Sequence, residues 1–156
     1  MTDQKIQYLS QEKIEELQEE AKNIKEEKIP GIAKRIDEAK QMGDLSENAE
    51  YHSAREDMAW AQSRAKEIQH ILDNSEIITK TSNSSGSVNI GSTVLVKFDG
   101  NTKEFTIVGP QEAEPVNGLI SNESPLGTAF LGKKKGDQVE VEAPAGVVKY
   151  KIKEVR

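Results

Sequence analysis

The sequence predicts an α+β protein: an N-terminal long antiparallel two-helix coiled coil, then a C-terminal antiparallel β-sheet unit with a short helix. Apolar residues follow a coiled-coil spacing in the first half, and turn signals separate strand-like segments in the second. We place the boundary between residues 79 and 80. The composition agrees, because 35% hydrophobic but only 4% aromatic residues in 156 do not favour a single large core.

Two segments of the first half carry apolar residues at spacings of three and four. In the first segment these residues are Ile14, Leu17, Ala21, Ile24, Ile32, Ile36 and Ala39. In the second they are Tyr51, Ala54, Met58, Ala61, Ala65, Ile68 and Leu72. Pro30 interrupts the first stripe, and we expect it to kink the helix or to remove one hydrogen bond.

The numbering of the two stripes locates the bend between them. Facing residues of helices that fold back on each other have position numbers with a constant sum. Leu17 and Leu72 add to 89, and Ile36 and Ala54 add to 90. Half of either sum lies at residues 44–45, which places the bend there. The arm from Ile14 to the bend then has about 30 residues and a length of about 45 Å at 1.5 Å per residue.

The second half contains two hairpin signals. Asp99-Gly100-Asn101 and the turn at 143–146 each lie between alternating segments. The predicted strands are residues 93–98, 103–108, 138–142 and 147–155. We also expect a short strand at 77–78, a flexible polar connector at 81–87 and a short helix within 125–131.

Charge and composition exclude several classes of protein. A net charge of −6 argues against non-specific coating of nucleic acid, and the absence of Cys excludes disulfides and thiolate metal sites. No apolar run of about 18 residues and no secretory leader is present, so we expect a cytoplasmic protein with no membrane partner. Because the coil closes on itself, we expect a monomer.

The predicted bend is acidic, with Asp44, Glu47 and Glu50 within seven residues. Gly43 is a good helix C-terminal residue, and Asp44-Leu45-Ser46-Glu47 has the form of an N-terminal capping box. Alternatively, hard oxygen ligands at the end of a long arm can carry a divalent cation into another molecule's active site. The residues at the bend leave both interpretations open.

The stretch GDLSENAEYH at 43–52, followed by Ala54-Arg55-Glu56, resembles the tip motif of the GreA/GreB family of bacterial transcript cleavage and elongation factors. The likeness covers nearly the whole chain and includes Leu119-Ile120-Ser121, Ser124-Pro125-Leu126-Gly127 and Leu131-Gly132. It implies an FKBP-like C-terminal domain that docks at the secondary-channel rim of core RNA polymerase. The coil would then enter the channel.

The resemblance also implies roles for individual residues. Asp44 and Glu47 would be catalytic ligands of a Mg²⁺ ion, which is shared with the polymerase because two exposed carboxylates hold this ion poorly. The polymerase would then cut the 3′ end of backtracked nascent RNA, so the factor is not an enzyme alone. Lys40 and Arg55 would form a basic patch that holds this RNA. The remaining implied site residues are Gly43, Leu45, Asn48, Glu50 and Tyr51, which support the tip, and Ser121, Ser124, Pro125 and Leu126, which dock on polymerase.

The prediction also includes one departure from the family's tip motif, one residue with two possible roles, and two rival functions. Many relatives carry Lys where this chain has Ser46, which removes one phosphate contact. Trp60 lies off the apolar stripe and covers the side of the coil or meets the second domain. The rivals are a Gfh-type inhibitor of the same channel, against which the intact Asp44 and Glu47 argue, and a coiled-coil adaptor with no part in catalysis.

Overall fold

The computed structural model describes residues 5–79 and 85–156, which divide into two compact units. The helical unit is Glu12–Asn74, and residues 5–11 belong with 75–156 in the sheet unit. Strand β1 (Gln7–Leu9) pairs in parallel with β2 (Ser75–Ile77). This pairing joins the two chain segments that precede and follow the helical unit. The units are therefore divided at residues 11 and 74 and not at the predicted 79. Residues 81–84 of the predicted connector lie outside the described ranges.

The helical unit is the predicted hairpin. Its first arm consists of α1 (Gln11–Asn23), a π-helical segment (Ile24–Lys28) and α2 (Ile29–Gln41) without a break. Its second arm is α3 (Ala49–Asp73). The prediction of a long two-helix hairpin is confirmed.

The predicted stripes form the contact between the two arms. The fully buried members are Leu17, Ile24, Ala39, Ala54, Ala61, Ala65 and Ile68. At the far end, Ile71 is buried while the predicted Leu72 is only half-buried. Ile71 and Leu72 lie three and four residues after Ile68 and border the same helix face, so the sequence pattern does not separate them.

The π-helical segment explains why the pairing sum changes from 89 to 90. The Ile29 N–H donates to the Ile24 carbonyl, five residues back, so this turn holds one extra residue. Positions after the turn are therefore displaced by one in the register against α3. Pro30 follows directly after this turn inside the continuous arm and has no N–H, so the arm lacks one helical hydrogen bond there, which is one of the two effects predicted for Pro30.

The sheet unit has five strands in the order β5-β4-β3-β7-β6. The strands are β3 (Thr93–Phe98), β4 (Asn101–Val108), β5 (Leu119–Ser121), β6 (Gln138–Ala143) and β7 (Gly146–Val155). Three pairings are antiparallel as predicted, but β5 runs parallel to β4. Two 3₁₀ turns lie in the connection between β4 and β5, which brings the chain back so that β5 runs in the same direction as β4. The sheet is therefore mixed.

The first hairpin turns through Asp99 and Gly100, both with positive φ, as a two-residue turn of this kind requires. The helix α4 (Pro125–Phe130) packs on one face of the sheet. Phe130 is fully buried there, with its ring centroid 5.9 Å from that of Phe105. The predicted α+β class, with a short helix on a small sheet, is confirmed.

Two helical glycines provide a stability test. A Cβ on Gly127 would collide with the Ser121 carbonyl oxygen, whereas a Cβ on Gly31 would meet nothing within 4 Å. We expect Gly127→Ala to destabilise the sheet unit by about 1–3 kcal/mol and Gly31→Ala to stabilise the helical unit by about 0.5–1 kcal/mol. Thermal unfolding measures both changes, and a stabilising Gly127→Ala would contradict the close approach of these backbones.

Candidate metal-donating tip of the helical hairpin

The connection between α2 and α3, residues 42–48, is here called the tip. Met42 follows α2, and its N–H donates to the Ala39 carbonyl at 3.1 Å. Gly43 has a φ of 141°, a region that side-chain-bearing residues rarely adopt. Glycine therefore lets the chain leave α2 sharply, and the predicted bend at 44–45 lies within the tip.

Asn48 caps α3 and ties it to α2. Its Oδ1 accepts the Tyr51 N–H at 3.0 Å, and its Nδ2 donates to the Ala39 carbonyl at 2.6 Å. The possible capping box at Asp44 and Glu47 is wrong, because α3 begins only at Ala49. Neither carboxylate is therefore required to start the helix.

The Asp44 side chain is exposed, and it closes a local turn by accepting hydrogen bonds from Ser46. Its Oδ1 accepts hydrogen bonds from both the N–H and the hydroxyl of Ser46, each at 3.0 Å. These hydrogen bonds, the backbone one first, lower the pKa of Asp44 below its ordinary 3.8 because they favour the carboxylate. Its Oδ2 accepts no hydrogen bond from a described residue and faces water.

Of the three acidic side chains, Glu50 alone is paired with a cation among the described residues. Arg35 donates to its Oε1 from Nε at 3.0 Å and from Nη2 at 2.8 Å, and to Asp57 Oδ2 from Nη1 at 2.7 Å. Hydrogen bonds to Asp57 and then Glu50 raise the pKa of Arg35. Glu50 is thus held at the side of the hairpin, while Asp44 and Glu47 are exposed without a salt bridge.

The tip offers two carboxylates to a cation. In the described ranges, no group of three or more His, Cys, Asp or Glu side chains is placed to hold a metal ion. Mg²⁺ requires about six oxygen ligands in octahedral geometry and keeps its waters readily. Asp44 and Glu47 suit partial coordination, in which another molecule or water completes the shell.

Two basic side chains lie beside the tip. Lys40 is exposed in the last turn of α2, and Arg55 is exposed in the second turn of α3. Arg55 Nη1 donates to Tyr51 Oη at 3.1 Å, with its guanidinium 5.8 Å from the Tyr51 ring centroid. Tyr51, predicted only as tip support, therefore also orients Arg55.

The predicted docking residues extend from the end of β5 to the first turn of α4. Ser124 Oγ accepts the Gly127 N–H at 3.0 Å and donates to the Ser121 carbonyl at 2.7 Å, so Ser124 caps α4. Leu126 packs against the core, and Pro125 is exposed. A Ser-Pro pair is a known helix-start signal, and it indicates this structural use of Ser124.

Sequence reasoning missed Ser46 as the donor to Asp44 and Arg35 as the partner of Glu50. The Asp-x-Ser spacing is a signal for such a local turn. No local signal marks Arg35, because it and Glu50 are not in the register of the buried stripe. Only the packed hairpin brings them together.

Two family models match the chain. One, described as Transcription elongation factor, N-terminal, matches residues 7–77, and the other, described as Transcription elongation factor, GreA/GreB, C-term, matches residues 83–156. A hairpin with an acidic tip joined to a small mixed sheet is thus the structure of a transcription elongation factor. The chain belongs to the GreA/GreB family.

Individual relatives agree over their full lengths. The transcription elongation factor GreA of Chloroflexus aggregans is 43% identical over 155 residues, covering 98% of this chain and 99% of the relative. That of Mycoplasma capricolum is 44% identical over 151 residues, covering 95% and 96%. The resemblance read from the tip motif is therefore confirmed.

Solved structures with lower identity also resemble the chain. Gfh1 of Thermus thermophilus is 22% identical, with a TM-score of 0.44 over 97% of this chain and 99% of Gfh1. The GreA/GreB factor from Nitrosomonas europaea is 26% identical, with a TM-score of 0.43 over 58% and 77%. Both scores are below 0.5, so the family assignment rests on the sequence matches. None of the described helices is long and apolar enough to cross a membrane.

We expect Asn48→Ala to destabilise the hairpin by about 1–2 kcal/mol, because it removes the cap of α3 and the hydrogen bond to Ala39. Thermal unfolding measures the loss. Glu47→Gln is the control, since Glu47 caps no helix, and we expect it to change stability by less than about 0.5 kcal/mol. A larger loss for Glu47→Gln than for Asn48→Ala would contradict the assignment of the cap.

We expect Ser46→Ala to raise the pKa of Asp44 only part of the way toward 3.8, because it keeps the larger contribution, the backbone N–H hydrogen bond, and removes only the hydroxyl one. Carboxyl NMR titration measures this shift. Since the folded pKa is lowered, this interaction stabilises the tip above the ordinary pKa and is lost as the pH falls through the lowered one. Ser53→Ala, at an exposed position of α3, is the control; identical Asp44 titrations in both variants would disprove the contact.

Proposed function

We propose that the protein stimulates Mg²⁺-dependent cleavage of nascent RNA by RNA polymerase. The hairpin enters the secondary channel, and the tip reaches the active site, where cleavage of the backtracked 3′ end rescues arrested complexes. One observation carries the proposal: Asp44 and Glu47 are exposed at the end of an arm of about 45 Å, and neither caps a helix or forms a salt bridge within residues 5–79 and 85–156.

The proposed chemistry matches what two exposed carboxylates offer. Two-metal hydrolysis of a phosphodiester needs one ion that stabilises the leaving oxygen and another that activates water. Asp44 would contribute an oxygen to the second Mg²⁺, and its low pKa keeps it charged across physiological pH. Glu47 would act as a weaker ligand or orient the attacking water. The polymerase would supply the remaining ligands, so the protein is not an enzyme alone.

The cations beside the tip give the RNA a place to bind. Lys40 and Arg55 carry no salt bridge to a described residue, so their charges are available to phosphate. Ser46 adds no charge to this patch and donates its hydroxyl hydrogen bond to Asp44. The basic patch is therefore small, which favours short extruded RNA fragments.

The sheet unit would dock at the rim of the channel in core polymerase. The segment that carries Ser121, Ser124, Pro125 and Leu126 runs from β5 into α4, and it is held in shape because Ser124 bonds both to Ser121 and to α4. Its exposed Pro125 offers an apolar contact at the start of α4. A protein of this function acts in the cytoplasm, where transcription takes place in bacteria.

The decisive test is RNA cleavage in a backtracked elongation complex with the native chain and with Asp44→Asn plus Glu47→Gln. We expect the double variant to lose stimulated cleavage by about 10- to 100-fold, because both changes remove a charged metal ligand and keep the shape. Thermal stability and polymerase binding should stay unchanged. Glu19→Gln plus Asp73→Asn is the control, since it removes two exposed charges at the opposite end of the hairpin from the tip.

The outcomes separate the rival functions. Cleavage that survives in the double variant would show that the tip carboxylates are not the ligands. Native protein that binds polymerase but only slows it would be a Gfh-type inhibitor. Native protein that does not bind core polymerase would be an adaptor of another kind.

A further inference from the structure

A groove crosses the side of the hairpin, away from the tip. We call it the Trp60 groove, and it is lined by Lys28, Gly31, Ile32, Arg35, Asp57 and Trp60. Its volume of about 420 Å³ is at the low end for a binding cleft, which suits a large side chain better than a whole ligand. It begins at the π-helical segment that ends at Lys28, a type of turn that often marks functional sites.

No contact or backbone angle within the described residues requires a glycine at position 31. Its φ is not positive, and an added Cβ would meet nothing within 4 Å. Glycine inside a helix weakens that helix relative to alanine, so the sequence carries a cost with no packing gain within the protein. The open space above Gly31 leaves room for another molecule to approach this backbone closely.

Trp60 is the single tryptophan of the chain, and 58% of it is exposed. It lies on the opposite wall from Gly31, with the Lys28 ammonium 5.4 Å from its ring centroid. Trp and Arg dominate the energetics of many protein interfaces, and Arg35 lies in the same groove. The contact with Lys28 puts Trp60 against the first arm of the hairpin, on the side of the coil, which is one of its two predicted positions.

The charges around the groove indicate the chemistry of the occupant. Glu27 and Asp57 oppose Lys28 and Arg35, so the lining is neutral overall. A phosphate backbone binds where basic charge is in excess, which argues against RNA here. The groove is neutral, with the exposed indole of Trp60 on one wall and the backbone of Gly31, which has no side chain, on the other. This lining fits an apolar protein side chain.

We propose that the Trp60 groove holds an apolar side chain from the wall of the polymerase secondary channel and so anchors the inserted hairpin. Trp60 lies about 16 Å along α3 from Ala49, so a tip at the active site brings the groove inside the channel. This step rests on the proposed function. The anchor is separate from the metal ligands, so binding and cleavage depend on different residues.

The test is the affinity of the full chain for core polymerase, measured by fluorescence anisotropy. The chain has no Cys, so Ala145→Cys in the exposed β6–β7 turn gives a single labelling site. We expect Gly31→Leu to fill the groove and raise the dissociation constant at least tenfold, while the helical unit unfolds at the same or a higher temperature. Trp60→Ala should weaken binding similarly.

Gln62→Leu is the matched control, because it adds the same side chain at an exposed position about 200° around α3 from Trp60. It should bind within twofold of the native chain. The proposal is overturned if either Gly31→Leu or Trp60→Ala binds like the native chain, or if Gln62→Leu weakens binding as much as Gly31→Leu does.

Cleavage assays on the same proteins separate this proposal from the proposed function. Native protein that binds but does not stimulate cleavage, with weaker binding by Gly31→Leu, supports the groove and defeats the proposed function. If the native protein stimulates cleavage but Gly31→Leu binds polymerase as tightly as the native chain, the proposed function is supported and the groove proposal is defeated. Native protein that does not bind core polymerase defeats both.

Discussion

Close packing between α2 and α3 through small side chains is the constraint on which the rest of the hairpin depends. Ala39, Ala54 and Ala61 are fully buried, so the helices approach with little side-chain bulk between them. Asn48 can reach the Ala39 carbonyl only because the helices are this close at the tip. The position of the acidic tip is therefore set by packing along the arm and not by the tip residues alone.

The π-helical turn is the second determinant of the hairpin. It adds one residue between the Leu17 and Ile36 portions of the stripe, and both portions still face α3. Pro30 follows it within the continuous arm, where its missing N–H leaves one helical hydrogen bond unmade, and Gly31 leaves the adjacent backbone bare. The change of helix geometry and the Trp60 groove thus have a common location.

Different residues hold the tip together and carry its charge. Gly43 turns the chain, Asn48 caps α3, and Arg35 holds Glu50 to the side. Asp44 and Glu47 are left exposed, and within the described ranges neither caps a helix nor pairs with a cation, while Ser46 orients Asp44. This arrangement suits ligands that act only when another molecule completes the metal site, since exposed carboxylates need no rearrangement to bind.

The sequence by itself determined the hairpin, its bend, the strand pairs and the family, because heptad spacing, two-residue turns and the tip motif are local patterns. Tertiary structure decided the rest. Which of Ile71 and Leu72 is buried, the parallel pairing of β5, and the cap at Asn48 depend on what packs against each segment. The Arg35 to Glu50 contact and the Trp60 groove lie between residues far apart in sequence, so only the folded hairpin brings them together.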